Sequence, residues 1–235
     1  MIEDKFIEIK FSTNNLDIYL IRKSILNSIK KYIKLFKGNL LDVGCGKMPY
    51  REFLLNNSSI TSYVGIDIET ALQYDSKIKP DKYWDGNTIP FADNHFSTVI
   101  ATEVLEHCPD PQLILKEINR VLEPKGIFFF TVPFLWPLHE VPNDEYRYTP
   151  YSLVKLLKFA GFTNIEVYPS GGWHASMAQM LSLWLIRSHM NKVTRNFLVF
   201  LLKPMILLLI KMDRHSDNSF KESQMITGLY GIAQK

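Results

Sequence analysis

The residues best placed to do chemistry begin at Leu41-Asp42-Val43-Gly44-Cys45-Gly46, an apolar run that ends in a carboxylate and two glycines. Glycines in a strand-to-helix turn let the backbone approach a ligand and leave amide groups free to bind it. A second acid, Asp67, closes the run Ser62-Tyr63-Val64-Gly65-Ile66, where a carboxylate can accept two hydrogen bonds from a ribose diol. A third, Asp85, follows Lys82-Tyr83-Trp84 and precedes Gly86. Its carboxylate can accept from an exocyclic amine while a nearby backbone amide donates to a ring nitrogen, which reads one edge of adenine. Thr102-Glu103-Val104-Leu105-Glu106-His107 follows a fourth apolar run and should face the same sheet edge.

A second group sits in the long stretch from Pro133 to Pro150. Long loops within compact domains are usually functional, and this one leaves the carboxyl end of an expected strand. His139 is the first candidate for a general base, oriented by Glu140 or Asp144. His174, after Gly171-Gly172-Trp173, is the second. Tyr146, Arg147, Tyr148, Trp173 and His174 are the acceptor-side candidates, and Arg147 could grip a carboxylate or phosphate.

These residues need a frame. Leu16 to Phe36 has helical spacing, with Ile18, Ile21, Ile25, Ile29 and Ile33 on one side, and Gly38 ends it. Short strands are expected at 39–43, 62–66, 82–84, 96–102, 126–132, 164–168 and 227–233. Pro49 suits the first turn of a helix, and helices are expected over 111–122 and 151–160. This alternation predicts an α/β, Rossmann-like fold: a mostly parallel sheet of about seven strands covered on both faces. The expected organisation is an N-terminal helical segment (1–37), the core (38–170), a helical insert (171–225) and the last strand (226–235).

Composition agrees with a globular chain: 235 residues, 46% hydrophobic, 22% charged, net charge +3. That charge gives no reason to invoke nucleic acid. Cys45 and Cys108 stand at no metal-ligand spacing, so no metal is expected, and a reducing, cytoplasmic setting fits. Glu3, Asp4, Lys5, Glu8 and Lys10 give Met1 to Phe11 the wrong character for a signal peptide.

Taken together, Leu40 to Tyr50, Tyr63 to Asp67 and Asp85 to His107 resemble the successive motifs of class I S-adenosylmethionine (SAM)-dependent methyltransferases that act on small molecules. Ile89-Pro90-Phe91 through Leu105-Glu106-His107 is similar to that group's strand-four block. Met48 stands where the group's third glycine is usual, and Thr98 where an aspartate is often seen. The resemblance implies SAM as cofactor. It implies that Asp42, Gly44, Cys45 and Gly46 border the methionine moiety and that Asp67 binds the ribose, with Ile68 packing on adenine. It further implies that Asp85 and Gly86 read the adenine edge, and that Thr102, Glu103 and His107 lie near the reactive methyl. The loop 139–149 resembles one found in methyltransferases of cell-surface glycan and lipid pathways, which implies a small or lipid-linked acceptor, methylated at oxygen.

The insert reads as two helices, 175–188 and 193–212, the second apolar nearly all round but interrupted at Lys203-Pro204. It reads as a cap or dimer element, or as a peripheral membrane contact at the inner face, since Arg187, Lys192, Arg195, Lys203, Lys211 and Arg214 flank it. A clean span is not expected. A nucleotide-dependent reductase or epimerase remains an alternative, although Pro49 replaces the third glycine of the dinucleotide fingerprint. A non-catalytic, membrane-associated SAM-binding protein is another.

Overall fold

In a computed structural model, residues 6–69, 78–213 and 220–235 are described. Arg214 lies outside them. Seven strands form one sheet in the order β3-β2-β1-β4-β5-β7-β6. They are β1 (Lys37–Val43), β2 (Ser59–Ile68), β3 (Lys82–Trp84), β4 (Phe96–Thr102), β5 (Leu122–Pro133), β6 (Thr163–Ser170) and β7 (Gly228–Gln234). Strands β1 to β5 pair in parallel, and β7 runs antiparallel between β5 and β6.

Side chains alternate across this sheet and so build a core on each face. Leu41, Val43, Val99, Ala101, Phe128 and Phe130 point to one side. Leu40, Ile100 and Phe129 point to the other, under Ile25, Ile29 and Phe36. The order reverses between β1 and β4, where Leu40, Leu41 and Asp42 pair with Thr98, Val99 and Ile100. In open α/β sheets the crevice beyond the carboxyl ends of such strands holds ligands.

Helices α1 (Leu16–Tyr32), α2 (Arg51–Asn57), α3 (Pro111–Val121) and α4 (Pro150–Phe159) flank the sheet. Asp110 caps α3 by accepting the Leu113 N–H at 3.0 Å, with Pro111 at its first position. Pro49 differs from expectation: α2 begins at Arg51, because a turn closed by the Met48 N–H on the Cys45 carbonyl at 2.7 Å comes first.

The insert forms α5 (Trp173–Arg187) and α6 (Lys192–Met212). Helix α6 runs through Pro204 without a break. Proline leaves the carbonyl four residues earlier, that of Phe200, without its donor, and Phe200 is 81% exposed. Val199 and Ile206 pack with Leu16, Ala178 and Leu185 in a third small core. The opposite face of α6 is apolar and exposed, and the helix is long and apolar enough to cross a membrane by length and composition.

Candidate active site

The turn after β1 requires its glycines. Gly44 and Gly46 have φ of +66° and +50°, in the left-handed region that side chains disfavour. A Cβ on Gly44 would lie 2.6 Å from Val104 Cγ2, so the turn and the segment after β4 meet in direct contact. The Gly46 N–H donates to Asp67 Oδ2 at 2.9 Å, and the Ile68 N–H donates to Asp67 Oδ1 at 2.9 Å. Burial raises the Asp67 carboxyl, and these two amides act against that rise.

Asp42 lies beneath the turn rather than beside a ligand. It is buried and accepts the Tyr63 hydroxyl through Oδ2, while Oδ1 has no partner. Burial pushes its carboxyl up to about 7. The expectation that Asp42 borders the methionine moiety therefore changes: it supports the turn from below. Asp85 is exposed and accepts the N–H groups of Asn87 and Thr88, both at 2.8 Å, which lower its pKa. Gly86, at φ +78°, packs against Ile68, since an added Cβ would lie 3.4 Å from Ile68 Cγ2.

A cavity of about 320 Å³ opens over the β1–β4 switch point. Gly44, Cys45, Gly46, Thr102, Glu103, His107, His139 and Glu140 line it, so residues expected on the cofactor side and on the catalytic side share one chamber. Glu103 sits at φ +56°, a strained conformation of the kind that clusters at functional sites. Its N–H donates to the Thr131 carbonyl at 3.0 Å, and its Oε1 accepts the Thr131 hydroxyl at 2.7 Å. Burial raises its carboxyl.

The loop after β5 is pinned onto the turn Leu105–His107. The amides of Glu145 and Tyr146 both donate to the Glu106 carbonyl, at 2.9 and 3.1 Å. The hydroxyl of buried Tyr148 donates to Leu105 O at 2.8 Å, and that of Tyr146 donates to Pro109 O at 3.1 Å. This clamp brings the rings of His107 and His139 to 4.7 Å. His107 Nδ1 meets Asn143 O at 2.8 Å, and His139 Nδ1 meets Asp144 Oδ2 at 3.2 Å. Each ring thus gives its Nδ1–H to an oxygen and keeps a lone pair on Nε2. Burial lowers the His139 pKa against the opposing pull of Asp144, so the free base prevails at neutral pH. Asp144 is itself held at about 2 by Arg147, which grips it at 2.6 and 2.8 Å.

Several acceptor-side expectations change. Arg147 spends its donors on Asp144 and on the carbonyls of Trp136, Pro137 and Tyr146, so it fastens the loop instead of gripping an acceptor. Tyr146 and Tyr148 stack on each other at 5.6 Å and anchor the loop from below. Trp173 and His174 stand exposed at the start of α5, outside the cavity lining, and the Trp173 indole N–H donates to Ser223 O at 2.9 Å. Of the two candidate orienters, Asp144 holds the His139 ring. Sequence reasoning missed the roof and wall of the chamber: Phe6, Ile18, Ile21 and Arg22, together with Lys47, Tyr50 and Trp136. The Arg22 guanidinium lies 4.0 Å over the Phe6 ring.

The chamber fits a sulfonium nucleoside cofactor. It offers a glycine turn without Cβ bulk and a half-buried acid, Glu103, beside the aromatic Tyr50 and Trp136, while Asp67 lies outside its lining and holds the turn through the Gly46 N–H.

Comparison with known proteins agrees. Residues 41–130 match the methyltransferase domain family. A tRNA U34 carboxymethyltransferase of Nautilia profundicola is 37% identical over 108 residues, 43% of this chain and 36% of that protein. A demethylmenaquinone methyltransferase of Staphylococcus saprophyticus is 27% identical over 203 residues, 70% of this chain and 87% of its own. The chain therefore spans little more than a third of the first relative and most of the second. Among solved structures, a Haemonchus contortus phosphoethanolamine N-methyltransferase holding S-adenosylhomocysteine superposes with a TM-score of 0.56 at 17% identity, over 91% of this chain and 52% of that one. Residues 41–130 thus match a methyltransferase domain, set in this sheet order around this glycine turn.

Proposed function

We propose that the chain methylates a hydroxyl on a small or lipid-linked acceptor, working at the inner face of a membrane. The observation that carries this reading is the His139–Asp144 pair opening into the same chamber as the glycine turn.

SAM supplies a methyl group on a positively charged sulfur. Transfer is an in-line displacement, so the protein acts mainly by alignment and exclusion of water. Glu103 and Trp136 bound the chamber where that charge would sit. Asp144 holds the His139 ring and fixes its tautomer. His139 Nε2 is the lone pair assigned to activating the hydroxyl. Arg147 holds Asp144, and the clamp on Glu106 keeps the loop over the chamber.

The lipid-linked acceptor and membrane contact are supported by the insert. Trp173, Met177, Met180 and Trp184 form an exposed stripe along α5, and Phe197, Phe200, Leu201 and Leu208 another along α6. No Asp or Glu occurs between residues 173 and 212, while Arg187, Lys192, Arg195, Lys203 and Lys211 do. An apolar face with a basic border suits an anionic bilayer surface. The inner face of α6 is packed against α1 and α5, which favours lying on the bilayer over crossing it. The insert also reaches the chamber, because Arg187 at the end of α5 lies 4.7 Å over the Trp136 ring. The relative named for demethylmenaquinone fits an acceptor of this type.

The test is to incubate the protein with methyl-labelled SAM, a lipid extract in anionic vesicles and, separately, aqueous metabolites. Label in the organic phase as a base-stable ether supports the reading. Label confined to amine products contradicts the hydroxyl acceptor, and label confined to water-soluble ethers contradicts the lipid-linked acceptor and the membrane contact.

A further inference from the structure

Glu106 has no evident purpose as an ordinary side chain. It is 0% exposed, and neither carboxylate oxygen has a hydrogen-bond partner. A buried acid is normally paired or bound to a metal, since desolvating it otherwise costs several kcal/mol or forces it to hold a proton. The His107 Nε2 atom lies 3.8 Å from its Oε1. One ligand atom each from Glu106, His107 and His139 lies within 4.8 Å of the other two.

The histidines are prepared for a second interaction. With Nδ1 of His107 on a backbone carbonyl and Nδ1 of His139 on the Asp144 carboxylate, both tautomers are fixed and both Nε2 lone pairs remain. Metal-bound histidines are oriented in this way, including by carboxylate–histidine pairs. Glu103, Glu106 and Asp144 gather here around Arg147, so added positive charge is welcome. Two imidazoles and a carboxylate, with the remaining side open to the chamber, suit a borderline cation such as zinc, cobalt or manganese, whose bonds of about 2.0–2.2 Å ask only small rotations of these side chains.

We propose that Glu106, His107 and His139 bind a divalent transition-metal ion, and that this ion takes the acceptor oxygen as its next ligand. This rests on reading the chamber as the acceptor site. In the loaded enzyme the His139 lone pair is given to the cation, which takes over activation of the hydroxyl, so His139 acts as the base itself only in metal-free protein. The acceptor hydroxyl, bound to the cation, releases its proton to water. Its oxygen then forms a bond to the methyl carbon as the carbon–sulfur bond breaks and the sulfur leaves as a neutral thioether.

The experiment is titration of chelator-stripped protein with cobalt(II), followed by visible absorption and calorimetry, without acceptor. One ion per chain is expected, with d–d bands that zinc displaces. Glu106→Gln, which keeps shape, and His107→Asn should each weaken binding at least tenfold. Binding of S-adenosylhomocysteine by Glu106→Gln reports that the fold is intact. Absence of cobalt binding in the wild type, or equal binding in both variants, overturns the site. Turnover undiminished by chelator overturns the role assigned to the ion. If the metal binds and the nucleoside cofactor does not, the methyltransferase reading fails while the metal site stands.

Discussion

The backbone N–H of Gly46 donates to Asp67 Oδ2 at 2.9 Å, which makes the turn after β1 and the acid ending β2 a single unit. A ligand that touches one therefore touches a surface shaped by the other. Asp67→Ala should raise the dissociation constant for S-adenosylhomocysteine at least tenfold. In thermal unfolding, wild type at 100 times its dissociation constant gains about 2.7 kcal/mol, and the variant at the same ligand concentration should lose about half of that or more.

Asp42 makes stability depend on pH. The folded protein holds a proton on this acid up to about 7, whereas the unfolded chain releases it near 3.8. The folded state thus binds more protons across that window, and stability falls as pH rises through it. Asp42→Asn should flatten the slope and stabilise the protein at pH 8 by on the order of 2–4 kcal/mol. Urea unfolding at pH 5 and pH 8 measures this, and an unchanged slope counts against it.

His139 faces Asp144, His107 and Arg147, and burial is the largest influence on it. In metal-free protein its NMR titration midpoint should lie below 6.5. Asp144→Asn should move it lower still, since that acid favours the charged ring. His139→Ala should reduce turnover by about 100-fold while leaving cofactor affinity unchanged.

Phe200 is 81% exposed on α6. Phe200→Glu should alter folding stability by no more than about 0.5 kcal/mol. It should weaken binding to anionic vesicles by roughly 10- to 100-fold, as expected when 1.5–3 kcal/mol of aromatic burial is withdrawn. Co-sedimentation with anionic and neutral vesicles distinguishes this from a general loss of solubility.

The sequence disclosed the elements that depend on local pattern. The run Leu40–Val43 ending in Gly44 is a buried strand because both its faces are covered, and Asp67 marks the end of the next strand. Elements that depend on distant contacts were not legible. Nothing local says that Arg22 and Phe6 roof the chamber, since α1 acquires that role only by folding across the sheet. Arg147 looks free to bind an anion until Asp144 and three loop carbonyls are seen to occupy it. Glu106, His107 and His139 come from two separate segments and form no spacing motif, which is why cysteine-based counting indicated no metal. Pro204 suggested a helix break, but α6 runs through it.

The crevice between β1 and β4 is where a sulfonium nucleoside cofactor would bind. Isothermal titration of the purified chain with SAM tests it most directly. Heat should saturate at one cofactor per chain, with affinity lowered at least tenfold by Asp67→Ala. No heat in the wild type, or binding that Asp67→Ala leaves untouched, would contradict it.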